Sequence, residues 1–206
     1  MSMTRHIVVV AALLAIATSS FAQTGPQASV ASVTRPAPKP GASKVNRPYF
    51  IEFRARSALS YGHTFAVYGR VGTKIGSGVF VAGLHPFTES SIPWMIGHFV
   101  PVPSETGASD GDTEDQYIIA RYRVLLTESE YRALTSSIKK LQDSSPVWHA
   151  VLYNCNAFVG DIAKSIGLKT PSTLQMPKEF IEDLKQINSN ATVTVGRLTE
   201  TPGHGL

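Results

Sequence analysis

The hydrophobic pattern changes period partway along the chain, and that order constrains the fold more than any other feature. Across Tyr49–Arg56 the side chains alternate, with Tyr49, Ile51, Phe53 and Ala55 on one side and Phe50, Glu52, Arg54 and Arg56 on the other. Period two marks a strand, and the charged side suits the edge of a sheet. Residues 62–70 are rich in β-formers, Val71, Gly72 and Thr73 read as a turn, and residues 77–84 read as the returning strand of a hairpin. Residues 85–115 carry several prolines and read as irregular; residues 116–126 alternate again. Beyond Leu126 the period becomes helical. Thr127 and Glu130 form a capping box ahead of Tyr131, Leu134, Ile138 and Leu141. Asn154 caps a second helix with Phe158, Ile162 and Ile166 on one face and Gly167 at its stop. Pro177 suits the first turn of a third helix carrying Phe180, Ile181, Leu184 and Ile187, and residues 191–198 read as a last short strand. Strands followed by helices predict an α+β domain, an antiparallel sheet with helices packed on it.

The ends of the chain have other compositions. Arg5 and His6 precede an apolar run over residues 7–17, and Ser20, Phe21 and Ala22 form a small-x-small cleavage site. This is the pattern of a signal peptide over residues 1–22, with a run too short to span a bilayer. The expectation is a periplasmic or secreted protein with no stable membrane insertion after cleavage. Residues 23–47 are rich in Pro and Ala and lack apolar periodicity, which predicts an extended tether. The folded domain is expected over residues 48–198 and a frayed tail over residues 199–206. The formal charge of +4 is uneven, because Arg35, Lys39, Lys44 and Arg47 fall in the tether. No basic cluster is interleaved with aromatics, so nucleic acid is not an expected partner.

A single cysteine, Cys155, accompanies the export signal. Exported cysteines ordinarily pair, so a lone one is a buried thiol, an intermolecular bridge or a reactive thiol. Its place at a helix start favours the reactive form. Free N–H groups and the positive end of the helix dipole stabilise a thiolate there, and the same groups can hold an oxyanion. Asn154 and Asn156 flank it as candidate helix-cap or oxyanion groups. A general base must complete such a site. His63 follows Gly62 at the start of a strand, where an imidazole is well fixed; His85, His98 and His149 are further histidines of the folded region.

The Gly62-His63-Thr64 strand start, followed far downstream by Asn154-Cys155 opening a helix, resembles the circularly permuted papain-like enzymes. These include NlpC-type hydrolases and lecithin retinol acyltransferase-like proteins. The resemblance implies a papain-like fold with Cys155 as nucleophile and His63 as base. It also implies hydrolysis or acyl transfer at an amide or ester, with a peptide, peptidoglycan or acyl-containing substrate and no cofactor. The family's third, orienting residue sits on the strand after the histidine, where this chain offers Ser77 and His85. No Asp, Glu or Asn lies on that strand, so Ser77 and His85 stand as the candidates for the third place, and a Cys–His dyad without it can still work. The same features fit a non-catalytic binding module on the same fold.

Tyr61, Trp148 and Tyr153 are candidate cleft residues, and Trp94 and Phe99 are further aromatics of the same kind. Glu105, Asp110, Asp112, Glu114 and Asp115 crowd one segment. It lacks the spacing of an EF-hand and reads as a solvated loop or a lid beside the cleft. Cys155 and the histidines lack close ligand spacing, so no metal is expected. The mature protein is expected to be a monomer, with a Cys155-linked dimer as the competing form.

Overall fold

A computed structural model describes residues 45–58, 61–88 and 90–190. The expected signal peptide, most of the tether, the strand over 191–198 and the tail lie outside the described residues. The chain divides after Ala42, and every described residue belongs to the second unit, Ser43–Leu206.

The fold is α+β. Strands β1 (Tyr49–Arg56), β2 (His63–Arg70), β3 (Val79–Gly83) and β6 (Ile118–Leu126) form an antiparallel sheet in the order β3-β2-β1-β6. Three short strands, β4 (His85–Pro86), β5 (Val102–Glu105) and β7 (Val147–Trp148), form a second sheet in the order β4-β5-β7. Between β4 and β5 lies the short helix α1 (Ser91–Ile96). Helices α2 (Glu128–Ser144), α3 (Cys155–Ser165) and α4 (Pro177–Ile187) follow.

Alternation along the strands decides the layers. Ile51, Phe53 and Ala55 of β1, Ala66 of β2 and Val124 and Leu126 of β6 face the helices. Leu134 and Ile138 of α2, Phe158 and Ile162 of α3, and Phe180 and Leu184 of α4 complete that core. Each fully buried Leu, Ile or Phe among them contributes roughly 1.5–3 kcal/mol through removal from water. On the opposite face of the sheet Phe50, Phe65, Val67 and Val79 form a smaller cluster.

The helix signals act as their chemistry dictates. Thr127 accepts from the Glu130 N–H while the Glu130 carboxylate accepts from the Thr127 N–H, a complete capping box that contributes about 1 kcal/mol. At the end of α3, Gly167 takes a φ of +84°, and Leu168 N–H returns to the Ala163 carbonyl at 3.1 Å. Glycine is suited to that left-handed step.

Three expectations need correction. β1 is a central strand, not an edge. Its charged side chains are buried because they partner one another and their neighbours: Glu52 accepts from Arg54 and from Arg123, each at 2.6 Å. The return strand begins at Val79, so Ser77 is an exposed turn residue whose N–H bonds the Lys74 carbonyl at 3.0 Å. The segment read as irregular holds α1, β4 and β5, which are too short for periodicity to reveal.

Candidate functional site

Cys155 opens α3 as expected. Asn154 is the N-cap, its side-chain oxygen accepting from Ala157 N–H at 3.0 Å and its amide donating to the Ala150 and Thr173 carbonyls. The thiol is 3% exposed, and burial, the largest influence on it, pushes its pKa up. The backbone N–H groups of Thr64, Asn156 and Cys155 pull the other way. The proton of Thr64 is already committed, because Thr64 Oγ1 donates to Asn156 Oδ1 at 2.9 Å. That amide cannot turn, since Asn156 Nδ2 donates to the Thr173 and Gln175 carbonyls. The Thr64 hydroxyl therefore has lone pairs to offer an S–H but no proton for a thiolate. Asn154 and Asn156 tie α3 to the 173–175 loop, and neither amide is free to face an oxyanion.

His63 does not meet Cys155. Successive residues of a strand face opposite sides of the sheet. Thr64 and Ala66 face α3 and the main core, and His63 stands with Phe65 on the other side, their rings stacked at 5.9 Å. The Cys155–His63 pair expected from the sequence is thus split across β2 by one residue of register. The tyrosine before the strand, Tyr61, lies near the thiol instead. Its buried hydroxyl has no protein partner, and burial followed by the nearby Cys155 raises its pKa well above the ordinary phenol range.

The group that His63 joins was only partly visible in the sequence. Arg56 pairs with His63 across the β1–β2 ladder. Arg56 Nε donates to Asp112 Oδ1 at 2.6 Å and its Nη2 donates to Ser109 Oγ at 3.0 Å. Asp112 Oδ2 accepts from Ser109 N–H at 2.8 Å and stands 3.8 Å from His63 Nε2. Asp112 is fully buried, which corrects the expectation of a solvated acidic segment at that residue. The signal in the sequence was Arg56 itself, an arginine on the charged side of β1 that must find an anion if it is buried. Two glycines make room for the cluster. Gly62 has a φ of +93°, and a Cβ there would stand 2.5 Å from the Arg56 carbonyl. A Cβ on Gly83 would stand 2.9 Å from His63 Nε2.

His85 is buried beside His63, with ring centroids 6.1 Å apart, and its Nδ1 is bonded to the Pro86 carbonyl at 3.0 Å. It does not orient a catalytic pair. Ser77, at the far end of the β2–β3 hairpin from His63, does not reach the site. Trp148 is fully buried against Trp94 and is not among the lining residues of the cleft beside His63. Tyr153 is half-buried and donates to Asp161 at 3.1 Å. No group of three or more His, Cys, Asp or Glu among the described residues is arranged to hold a metal ion. No helix among them is long and apolar enough to cross a membrane.

A cleft of about 1160 Å³ opens beside His63. Tyr61, Trp94, Met95 and Phe99 give it an apolar wall, and His63 and Arg56 give it a polar floor. Cys155 is not among the residues that line it. His63 is 1% exposed, yet neither ring nitrogen has a hydrogen-bond partner in the protein.

Burial, then the Arg56 charge, then His85 hold the His63 imidazole well below its ordinary pKa of 6.5. The unfolded chain therefore binds this proton more readily, and stability is full above pH 6.5 and falls as pH drops through and below it. The expected slope is up to about 1.4 kcal/mol per pH unit. Asp112, raised above 3.8 chiefly by burial, acts in the opposite sense from that value upward, because the fold holds its proton more tightly. Urea titrations from pH 7.5 to 5 should show the loss in the native protein and a flatter profile in His63→Gln. Equal slopes in both would disprove the assignment to His63.

Comparison with known protein families, with curated protein sequences and with solved structures finds no match to this chain.

Proposed function

We propose that this domain is an exported binding module that seats a small amphipathic molecule in the cleft beside His63, with Cys155 serving as a buried structural thiol. The observation that carries this reading is the His63 ring. It is 1% exposed, without a protein partner on either nitrogen, and on the lining of an open cleft whose wall is largely aromatic and apolar. A buried polar group left unpaired costs about 1–3 kcal/mol, which a ligand carrying both a donor and an acceptor would recover. A concave apolar wall with a few convergent polar groups is the usual form of a small-molecule site. Permuted papain-like architecture is part of the reading. What supports it is chain order, the histidine strand preceding the cysteine helix, with that helix packed on β2.

The test is titration with the neutral fluorescent probe N-phenyl-1-naphthylamine. Saturable one-to-one binding is expected, weakened about tenfold by Phe99→Asp through loss of apolar contact and unchanged by Cys155→Ala. Absence of saturable binding, or binding indifferent to Phe99→Asp, would sink the proposal.

A second reading, a thiol hydrolase or acyltransferase acting on peptide, peptidoglycan or acyl substrates, draws on the place of Cys155 in the first turn of α3. It requires an imidazole on the Thr64 side of β2, and His63 stands on the other.

A further inference from the structure

We infer that the occupant of this cleft is an organic cation, an apolar or aromatic body bearing an ammonium group; the inference rests on the reading of the cleft as a binding site. The chain is basic, with a formal charge of +4, but the cleft is not. Its one lining guanidinium, Arg56, is already engaged by Asp112 at 2.6 Å, by Ser109 and by the Ser57 carbonyl at 3.2 Å. Two exposed carboxylates, Asp110 and Glu114, line the same cleft, and neither has a Lys or Arg partner among the described residues. Glu114 only accepts from the Gln116 amide at 2.8 Å. Among the described residues, the lining therefore carries two carboxylates without a Lys or Arg partner and no free guanidinium or ammonium.

Tyr61, Trp94, Phe99 and Tyr117 all contribute to the wall of the cleft, and Phe99 is 84% exposed. The negative face of an aromatic ring attracts an ammonium group by about 0.5–2 kcal/mol, more as water is excluded. Aromatic faces together with carboxylates are the chemistry that selects an organic ammonium over an alcohol or an acid. The unpartnered ring of His63, buried to 1% exposure and on the lining, offers a hydrogen bond deeper in the cleft than the two carboxylates. A ligand with its ammonium at the carboxylates, its body on the aromatic wall and a hydroxyl or amide toward His63 satisfies every unpaired group named.

The test is competition against N-phenyl-1-naphthylamine by four matched compounds: 4-phenylbutylamine, 4-phenylbutyltrimethylammonium, 4-phenylbutanol and 4-phenylbutyrate. Both cations are expected to displace the probe at about tenfold lower concentration than the alcohol, and the carboxylate to be weakest. In the Asp110→Asn, Glu114→Gln double variant the advantage of the cations should fall to within about twofold, and in the native protein it should shrink with added salt. Equal competition by all four compounds, or a cation preference undiminished in the double variant, overturns the inference and leaves the binding site standing. Failure of the probe and of all four compounds to bind overturns both.

Discussion

Iodoacetamide should modify Cys155 in the native protein at least about a hundredfold more slowly than in the urea-unfolded chain. Three features of the fold require it. The thiol is 3% exposed, so reagent reaches it mainly through local opening. Burial raises its pKa, so the thiolate fraction at pH 7 is below that of a free cysteine. His63, the imidazole expected to take the proton, stands on the opposite face of β2 from Thr64. The pH profile should accordingly have its midpoint above the ordinary thiol value, and His63→Ala should not move it. The linkage sign agrees: the native state holds the thiol proton more tightly than the unfolded chain, so ionisation favours unfolding as pH rises through the ordinary range. A native rate equal to that of the unfolded chain, with a midpoint below pH 7 that shifts upward in His63→Ala, would reverse the assignment and restore the thiol hydrolase. Mass spectrometry after timed quenching measures both rates on the single cysteine.

Arg56→Ala should destabilise the domain by about 3–5 kcal/mol, because it leaves a buried carboxylate without its countercharge. Asp112 is fully buried, and Arg56 supplies its charged partner at 2.6 Å, with Ser109 adding neutral donors. Burial already raises Asp112 against the pull of Ser109 and Arg56. Without the guanidinium it would rise further, so the deficit of the variant should shrink as pH falls and the carboxyl becomes neutral. Removing both charges, as in Arg56→Met with Asp112→Asn, should recover much of the loss, since a buried pair costs desolvation that a neutral pair does not. Urea unfolding at pH 7 and pH 5 measures all three proteins. A loss under about 1 kcal/mol for Arg56→Ala would mean that the 106–114 segment relaxes to admit water, and that the polar floor of the cleft is not held by this pair.

How much could be read in advance follows the range of each force. The period-two pattern of Tyr49–Arg56, the capping box at Thr127 and the proline start of α4 were legible, because each is a local relation between neighbours. The Cys155 helix start was legible for the same reason. The short elements α1, β4, β5 and β7 were not, since six residues or fewer carry too little periodicity to register. Asp112 was seen only as one of several loop acids; nothing local marks which of them will be covered.

The sequence by itself determined the α+β class, the order of strands before helices, and the identity of the groups capable of chemistry, Cys155 and the histidines. Tertiary structure alone decided which of those groups meet. Side-chain direction in a strand reverses at every residue, so a shift of one position exchanges Thr64 for His63 on the face against α3. The sheet and its core are satisfied with Thr64 and Ala66 inward, and His63 is thereby delivered to Arg56, Asp112 and the cleft.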